Sequence, residues 1–199
     1  MNKINNIPII YEDNWLLVVD KPSGLLTIPT PKKESRTLTS ILKAHPCHRL
    51  DRETSGLIIY AKGKSTQKKM MQEFKDKRVK KKYIAFVQGY PKNQGEIKNP
   101  IEGRLSLTRY KVIEKRKDFS ILEALPLSGR TNQLRIHFKQ IGHPILGDTR
   151  FAFRRDFKIK AKRLCLHAQS LEFTHPITGK LIRLEAELAQ DLKEFLKTH

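Results

Sequence analysis

The chain has 199 residues, enough for one sizeable α/β or α+β domain and marginal for two, so a single domain over 1–199 is expected. It carries 40 lysines and arginines against 20 aspartates and glutamates, and the resulting formal charge of +20 indicates a polyanionic partner. No apolar run approaches the ~20 residues of a membrane-spanning helix, and no signal peptide is recognisable. Membrane and export functions are thus disfavoured, nucleic acid is the favoured partner, and a cytoplasmic location is expected.

The two cysteines, Cys47 and Cys165, are typical of a reducing compartment rather than of a disulfide framework. Both have histidine neighbours: His45 and His48 flank Cys47, and His167 follows Cys165. A zinc site is therefore an alternative to buried, unreactive thiols. Because the spacing matches no closed zinc site well, we favour the buried thiols and expect no bound metal.

The first half of the chain predicts short strands joined by turns. Apolar segments at 7–11 and 15–19 flank a turn that begins at Asp13, and a short helix is expected within 37–45. The continuous apolar run GLIIYA, 56–61, is rich in β-branched residues. It predicts a central strand that is covered on both faces.

A charged helix is expected next, with Ser65 as its N-cap and its end at Val79. Its apolar face is assigned to Met70, Met71 and Phe74. The lysines on its other faces either are solvated or contact nucleic acid, and the sequence leaves both interpretations open.

The second half of the chain mixes strands and helices, without a repeat or a linker. The predicted elements are a strand (81–89), a hairpin (108–127) with its tip at 115–118, a helix from an N-cap at Thr131 to Gly142, a second hairpin (165–188) and a closing helix (191–199). This mixture favours one α+β body.

An isolated acid stands out in the string HRLDRETSG, 48–56, where Asp51 lies between Arg49 and Arg52 at the entrance to the GLIIYA strand. A structural salt bridge to one of these arginines is the simplest interpretation. A reactive acid is the alternative, because loops at strand ends often present catalytic groups. The chain has no GxxxxGK[ST], GxGxxG, HExxH or GxSxG motif, so a nucleotide-driven enzyme is not supported.

Six separated stretches carry the strongest functional signal. They are KPSGLLTIP (21–29), HRLDRETSGLIIYAK (48–62), KKKYIAFVQG (80–89), SGRTNQLRIHF (128–138), GHPILGDTRF (142–151) and RLCLHAQSLEFTHPITGK (163–180). In this order they resemble the motifs of the RluA family of RNA pseudouridine synthases. The resemblance implies an α+β fold with a mixed, mainly antiparallel sheet, flanking helices and an RNA cleft across its middle. It also implies an isomerase that flips a uridine of ribosomal or transfer RNA out of its stack and converts it to pseudouridine, with no cofactor or metal.

The resemblance assigns roles to particular residues. Asp51 matches the catalytic aspartate, which either attacks the sugar or removes a proton from it. Arg135 matches the arginine that pairs with this carboxylate and lowers its pKa. Tyr83 matches the tyrosine that lies against the target base, and Arg49 matches the arginine that replaces the flipped base in the RNA stack. Further substrate contacts are expected from Arg52, Arg130 and Gln133.

Two features depart from the family pattern. Asn132 stands where the family usually has histidine. The chain also begins almost at the first motif, so we expect no N-terminal accessory RNA-binding domain. A monomer is expected as well. Target choice is then assigned to the catalytic body, with its basic loops at 115–118 and 154–163.

Two other functions are weighed against the synthase. The first is a non-catalytic RNA-binding or ribosome-assembly protein on the same fold, which would have the same charge and basic loops. The second is a metal-dependent nuclease that uses Asp51, His48 and the cysteine-histidine pairs.

Overall fold

The computed structural model describes residues 2–32 and 34–199, which form two compact units. Unit 1 consists of the described residues up to Lys81 together with Ala168–Glu187. Unit 2 consists of Lys82–His167 together with Leu188–His199.

Strands dominate the described part of the chain, which also contains four short helices. The first elements are β1 (Lys3–Ile4), β2 (Ile7–Glu12), β3 (Leu16–Lys21), α1 (Leu38–Leu42), β4 (His45–Pro46), β5 (Ser55–Ala61), α2 (Lys64–Lys75) and β6 (Lys80–Gln88). The following elements are β7 (Gln94–Ile97), β8 (Thr108–Arg116), β9 (Phe119–Pro126), α3 (Gln133–Gln140), a 3₁₀ turn (Arg154–Asp156), β10 (Leu166–Thr174), β11 (Leu181–Glu185) and α4 (Gln190–Thr198).

In unit 1 the strands are ordered β1-β2-β3-β5-β10, with β4 on β5 and β11 on β10. Every residue of β5 is buried, as its continuous apolar sequence predicted. Gly56 in this strand is required, because a Cβ there would lie 2.3 Å from the carbonyl oxygen of Ala168. The core of the unit is formed by apolar side chains of β3, β5, α2 and β10, among them Leu16, Val18, Leu57, Ile59, Met70, Leu171 and Phe173.

In unit 2 the strands are ordered β6-β9-β8-β7. The β8–β9 hairpin turns at Lys117 and Asp118, within the predicted tip. Helix α4 closes the core, since the ring of Phe195 lies 6.0 Å from that of Phe86 and 5.8 Å from that of Phe119. The predicted strands, both hairpins, the α+β class and the mainly antiparallel pairing are confirmed. In the described part of the chain no helix has the length and apolarity needed to cross a membrane.

The start and the apolar face of α2 differ from the prediction. The helix begins at Lys64 with Gly63 as its N-cap, so Ser65 lies inside the first turn, and the helix ends at Lys75 rather than Val79. Only two residues separate β5 from α2, and the helix starts two residues too early for Ser65 to cap it. Met70 is buried, whereas Met71 is 51% exposed and does not belong to the apolar face.

The start of α3 was also predicted incorrectly. Its N-cap is Asn132 rather than Thr131, and Asn132 adopts left-handed backbone angles, with φ 55° and ψ 23°. Asparagine tolerates this conformation, whereas a β-branched threonine does not. The helix ends before Gly142, as predicted.

Candidate active site

Asp51 lies in the irregular segment that leads into β5, where it is half-buried. The backbone turns directly after it, since the Thr54 N–H donates to the Asp51 carbonyl at 3.2 Å. The fully buried β5 therefore fixes the far end of the Asp51 loop, which we define as residues 48–54.

The buried lysine at the end of β3 holds this loop from one side. Lys21 has no exposed surface, and its Nζ donates to the carbonyl oxygens of Pro22 at 3.0 Å, Leu25 at 2.8 Å and Arg52 at 3.1 Å. The Gly24 N–H also donates to the Arg52 carbonyl, at 2.8 Å, and Arg52 Nε returns a bond to the Gly24 carbonyl at 3.1 Å. The residue after Asp51 is thus fixed through its main chain.

Hydroxyl groups fix the loop on both sides of Asp51. Thr27 Oγ1 donates to the Leu50 carbonyl at 2.9 Å and lies 3.3 Å from the Leu50 amide nitrogen. Ser23 Oγ donates to the Glu53 carbonyl at 2.7 Å. The segment KPSGLLT therefore forms a cradle for the backbone of the motif HRLDRETSG.

His48 anchors the start of the loop rather than serving as a metal ligand. Its Nε2 accepts a hydrogen bond from the Ile59 N–H of β5 at 3.0 Å, and its ring lies 4.5 Å from that of Phe74. Burial, assisted by the charge of Lys81, lowers the pKa of His48 to about 3. His48 is therefore neutral at physiological pH, as its acceptor role requires.

The cysteines are buried free thiols. Burial raises the pKa of Cys47 and of Cys165 to about 12, which keeps both thiols protonated and unsuited to bind zinc. Across residues 2–32 and 34–199, no group of three or more histidine, cysteine, aspartate and glutamate side chains is placed to hold a metal ion.

Arg49 presents an exposed cation next to Asp51. Within the described ranges its side chain has neither a hydrogen-bond nor an ion-pair partner. It is thus available for a ligand.

In unit 2 the guanidinium of Arg135 is fixed in the core. The Arg135 side chain is 4% exposed, and its Nε and Nη2 donate to the two carboxylate oxygens of Asp148, each at 2.9 Å. Its Nη1 donates to Asn132 Oδ1 at 3.3 Å, and its Cζ lies 5.1 Å from the ring centroid of Phe151. Asn132, the residue that departs from the family pattern, thus helps to orient Arg135.

Asp148 was not singled out in the sequence. Its Oδ1 also accepts the N–H groups of Arg150 at 2.9 Å and Phe151 at 3.0 Å. Burial alone would raise the pKa of Asp148, but the hydrogen bonds from Arg135 and from these backbone groups outweigh it and hold this pKa below its usual value. The sequence did contain a pointer to Asp148, because this residue lies within the GHPILGDTRF motif. The structure shows why a glycine precedes it: Gly147 adopts φ +74° and has no room for a Cβ, which would lie 2.0 Å from the Arg163 carbonyl oxygen.

Gln133 is buried, and its amide is fully engaged within unit 2. Its Oε1 accepts from Ser128 Oγ at 2.7 Å and from the Arg130 N–H at 3.1 Å. Its Nε2 donates to the Leu107 carbonyl at 2.9 Å and to Thr108 Oγ1 at 3.0 Å. These four bonds use the full capacity of the amide, which favours a role in holding the backbone at Arg130.

The predicted site residues fall into three places. Arg49, Asp51 and Arg52 share the Asp51 loop of unit 1. Arg130, Gln133 and Arg135 lie at the start of α3, and Tyr83 lies half-buried on β6 opposite Ala124. The catalytic and substrate-binding roles of all seven residues, and the pairing of Arg135 with Asp51, stay predictions.

Comparison with known proteins identifies the family. Residues 15–140 match the family model described as RNA pseudouridylate synthase. The dual-specificity RNA pseudouridine synthase RluA of Haemophilus influenzae is 36% identical over 204 residues, which cover 91% of this chain and 93% of that protein. The ribosomal large subunit pseudouridine synthase C of Vibrio vulnificus is 33% identical over 225 residues, which cover 100% of this chain and 71% of that protein.

A solved structure shows the same fold. The human RNA pseudouridylate synthase domain containing 4 has a TM-score of 0.80 at 24% sequence identity, covering 96% of this chain and 92% of that one. The chain therefore belongs to the RluA family of RNA pseudouridine synthases, isomerases that convert uridine to pseudouridine in RNA.

Proposed function

We propose that the protein isomerises specific uridines of ribosomal or transfer RNA and that Asp51 is its catalytic carboxylate. The observation that carries this proposal is the construction of the Asp51 loop. Backbone carbonyls on both sides of Asp51 are clamped by Lys21, Thr27 and Ser23, so the acid is held on a rigid support, as a catalytic group requires.

The reaction needs an ionised carboxylate and no other reagent. The bond between the sugar C1′ and N1 of uracil breaks, the base turns, and a bond forms between C1′ and C5, while the C5 proton is lost and N1 gains one. Atoms and electrons balance within the substrate, so the proposal includes no cofactor and no metal. Asp51 acts either as the nucleophile at C1′ or as the base at the neighbouring carbon, and both steps begin with the charged form.

Arg135 and Tyr83 complete the proposed catalytic set. Arg135 is always charged, and Asp148 and Asn132 fix the plane of its guanidinium. A cation held in this way favours the ionised form of a carboxylate in a desolvated site. Tyr83 lies on the rigid strand β6, where its ring can stack on the target base.

The substrate-binding residues contribute in different ways. We assign Arg49, an exposed cation, to the place left by the flipped base, because a planar guanidinium both stacks and donates hydrogen bonds. Arg52 and Arg130 are exposed and are assigned to phosphates. Gln133 supports Arg130 by accepting its backbone N–H.

The wider biological setting is also part of this proposal. A ribosomal target is supported by the name of the relative from Vibrio vulnificus. The formal charge of +20 supports binding through phosphates. We propose that the protein acts as a monomer in the cytoplasm.

The direct test is to map pseudouridine across total RNA from cells that have the gene, lack it, or carry Asp51→Asn in its place. We expect one or more sites to disappear on deletion, to return with the wild-type gene and to stay absent with Asp51→Asn. A non-catalytic RNA-binding protein, the alternative, would leave the map unchanged on deletion.

A further inference from the structure

An exposed aromatic ring, Phe153, lies in a strongly basic segment that includes the loop 154–163. Among the phenylalanines in the described part of the chain, Phe153 has the largest exposed fraction, 65%. It belongs to the segment 150–163, which contains seven lysines and arginines and one carboxylate. An exposed Phe takes no part in a core, and this one lies among cations that suit a polyanionic ligand.

The ring is carried by an ordered turn. Asp156 Oδ2 accepts the Phe153 N–H at 2.7 Å, and the Asp156 N–H donates to the Phe153 carbonyl at 2.8 Å. The same carboxylate oxygen accepts from Lys139 Nζ of α3 at 2.6 Å. The 3₁₀ turn is thus tied to a helix, so the backbone that carries Phe153 is fixed before any ligand binds.

One arginine lies against the ring, and a second adjoins it in the sequence. The Arg155 guanidinium carbon lies 5.1 Å from the centroid of Phe153, within the range of a cation-π contact. Arg154 follows Phe153 directly, and both arginines are exposed. A ring with one guanidinium against it and a second exposed arginine next to it in the sequence offers an aromatic surface and two phosphate-binding groups.

This combination matches the chemistry of an unpaired nucleotide. Proteins bind single-stranded RNA by stacking bases on aromatic rings while basic side chains follow the phosphates. Bases inside a duplex have no open face for such stacking, so a double-stranded segment would contact the arginines alone.

We propose that Phe153, with Arg154 and Arg155, forms a stacking platform for an unpaired nucleobase of the RNA substrate other than the target uridine. The inference rests on the function proposed above, because it takes the ligand to be that substrate. The platform favours targets with an unpaired neighbouring nucleotide, such as those in loops or bulges.

The test is equilibrium binding of the full chain to a fluorescent oligouridine of about ten nucleotides and to an RNA duplex of the same length. Phe153→Ala should weaken the Kd for the single strand about 5- to 150-fold, with the duplex affinity unchanged. Phe153→Trp should bind the single strand at least as well as wild type, whereas Phe153→Leu, which is apolar without an aromatic face, should behave as Phe153→Ala. Leu181→Ala, at an apolar residue of unit 1 that is 53% exposed, is the matched control and should change neither affinity.

Three results would overturn the platform. These are unchanged single-strand binding by Phe153→Ala, an equal loss on single strand and duplex, or wild-type binding by Phe153→Leu, which would show that RNA binding does not use the aromatic face. A second measurement is photocrosslinking of oligouridine that contains 5-iodouridine. The peptide with Phe153 should be labelled, and labelling that misses it contradicts the proposal.

The readouts are independent of catalysis. Asp51→Asn should retain the difference between Phe153 and Phe153→Ala in oligouridine binding, so failure of the platform and failure of Asp51 as the catalytic residue give separate results. The exposure of the ring also predicts that Phe153→Ala unfolds at the same temperature as wild type.

Discussion

The Asp51 loop and the start of α3 both hold a proposed catalytic residue, but they hold it by different means. The loop is clamped through main-chain carbonyls, chiefly by Lys21, Thr27 and Ser23. At the start of α3 the side chain of Arg135 is itself a buried structural element, joined to Asp148 by two hydrogen bonds.

Because of this difference, substitutions in the two places should affect activity and stability in different proportions. Hydrogen bonds to main-chain carbonyls do not depend on which side chain a residue carries, so a change at Asp51 should act mainly on the reaction. A buried ion pair makes the functional group part of the fold, so a change there should act on both. The following predictions test this contrast, from the largest expected effect on stability to the smallest.

Asp148→Asn should lower the free energy of unfolding by about 3–5 kcal/mol, because it leaves the Arg135 cation buried without its counter-charge. Urea unfolding measures the change. The matched control is Glu12→Gln, which breaks the exposed ion pair with Lys62 and should alter stability by less than about 1 kcal/mol. Similar small changes in both variants would contradict the structural role of the Arg135–Asp148 pair.

Lys21→Met should lower the free energy of unfolding by about 2–3 kcal/mol, since three carbonyl acceptors lose a charged donor and the removal of a buried charge offsets part of that loss. It should also reduce the rate of pseudouridine formation, because Arg52 O is one of the three acceptors and the loop would shift. Lys62→Met, at an exposed lysine, is the control. A variant at Lys21 with wild-type rate and stability would show that the cradle does not position Asp51.

The pH dependence of stability should report on His48. Its pKa is about 3 in the folded protein and about 6.5 in the unfolded chain. As the pH falls below the unfolded pKa, the unfolded chain therefore binds a proton that the folded protein does not bind. The stabilisation that comes from neutral His48 is complete above the unfolded pKa and is lost as the pH falls toward 3. Wild type should thus lose about 2 kcal/mol between pH 7.5 and pH 5 from this group.

The control for this pH effect is His48→Gln, which retains an acceptor for the Ile59 N–H but does not titrate. Its stability should fall by about 2 kcal/mol less than that of wild type over the same range. Parallel curves for the two proteins would show that His48 is not held neutral by its surroundings.

Arg49→Ala should change stability by less than about 0.5 kcal/mol, because the side chain is exposed. Its effect should fall on RNA opening: activity should drop on a target within a duplex and recover in part on one that is already unpaired. Equal losses on the two substrates would remove the stack-filling role of Arg49.

The sequence predicted what depends on local patterns and motifs. The buried β5 follows from GLIIYA, and the hairpins follow from alternating apolar residues around turns. The candidate residues followed from motifs that span almost the whole chain, and the family itself is confirmed.

Contacts between distant segments were not predictable in this way. Lys21 donates a hydrogen bond to the Arg52 carbonyl, thirty-one positions away. Arg135 donates to Asp148, which lies thirteen positions further along the chain. His48 was considered as a zinc ligand, although its partner is a backbone N–H of β5. The role of each of these polar groups can be assigned only when its burial and its partner are known, because a lysine, aspartate or histidine considered alone is typical of a surface.

Helix starts were missed for a related reason. Ser65 and Thr131 have suitable side chains for capping, but the preceding backbone decides where the helix begins. At α3 the left-handed conformation of Asn132 sets that point and directs its side chain to Arg135.

The catalytic role of Asp51 is tested most directly by assaying purified Asp51→Asn, free of host synthases, on an RNA that wild type modifies. The substitution keeps the size of the side chain and removes the charge that both proposed mechanisms require. We predict no pseudouridine formation, with RNA binding retained at wild-type strength or slightly tighter, because one negative charge is lost from a surface that faces phosphates. Measurable turnover by the variant would contradict the account and leave Asp51 as the structural partner of a neighbouring arginine.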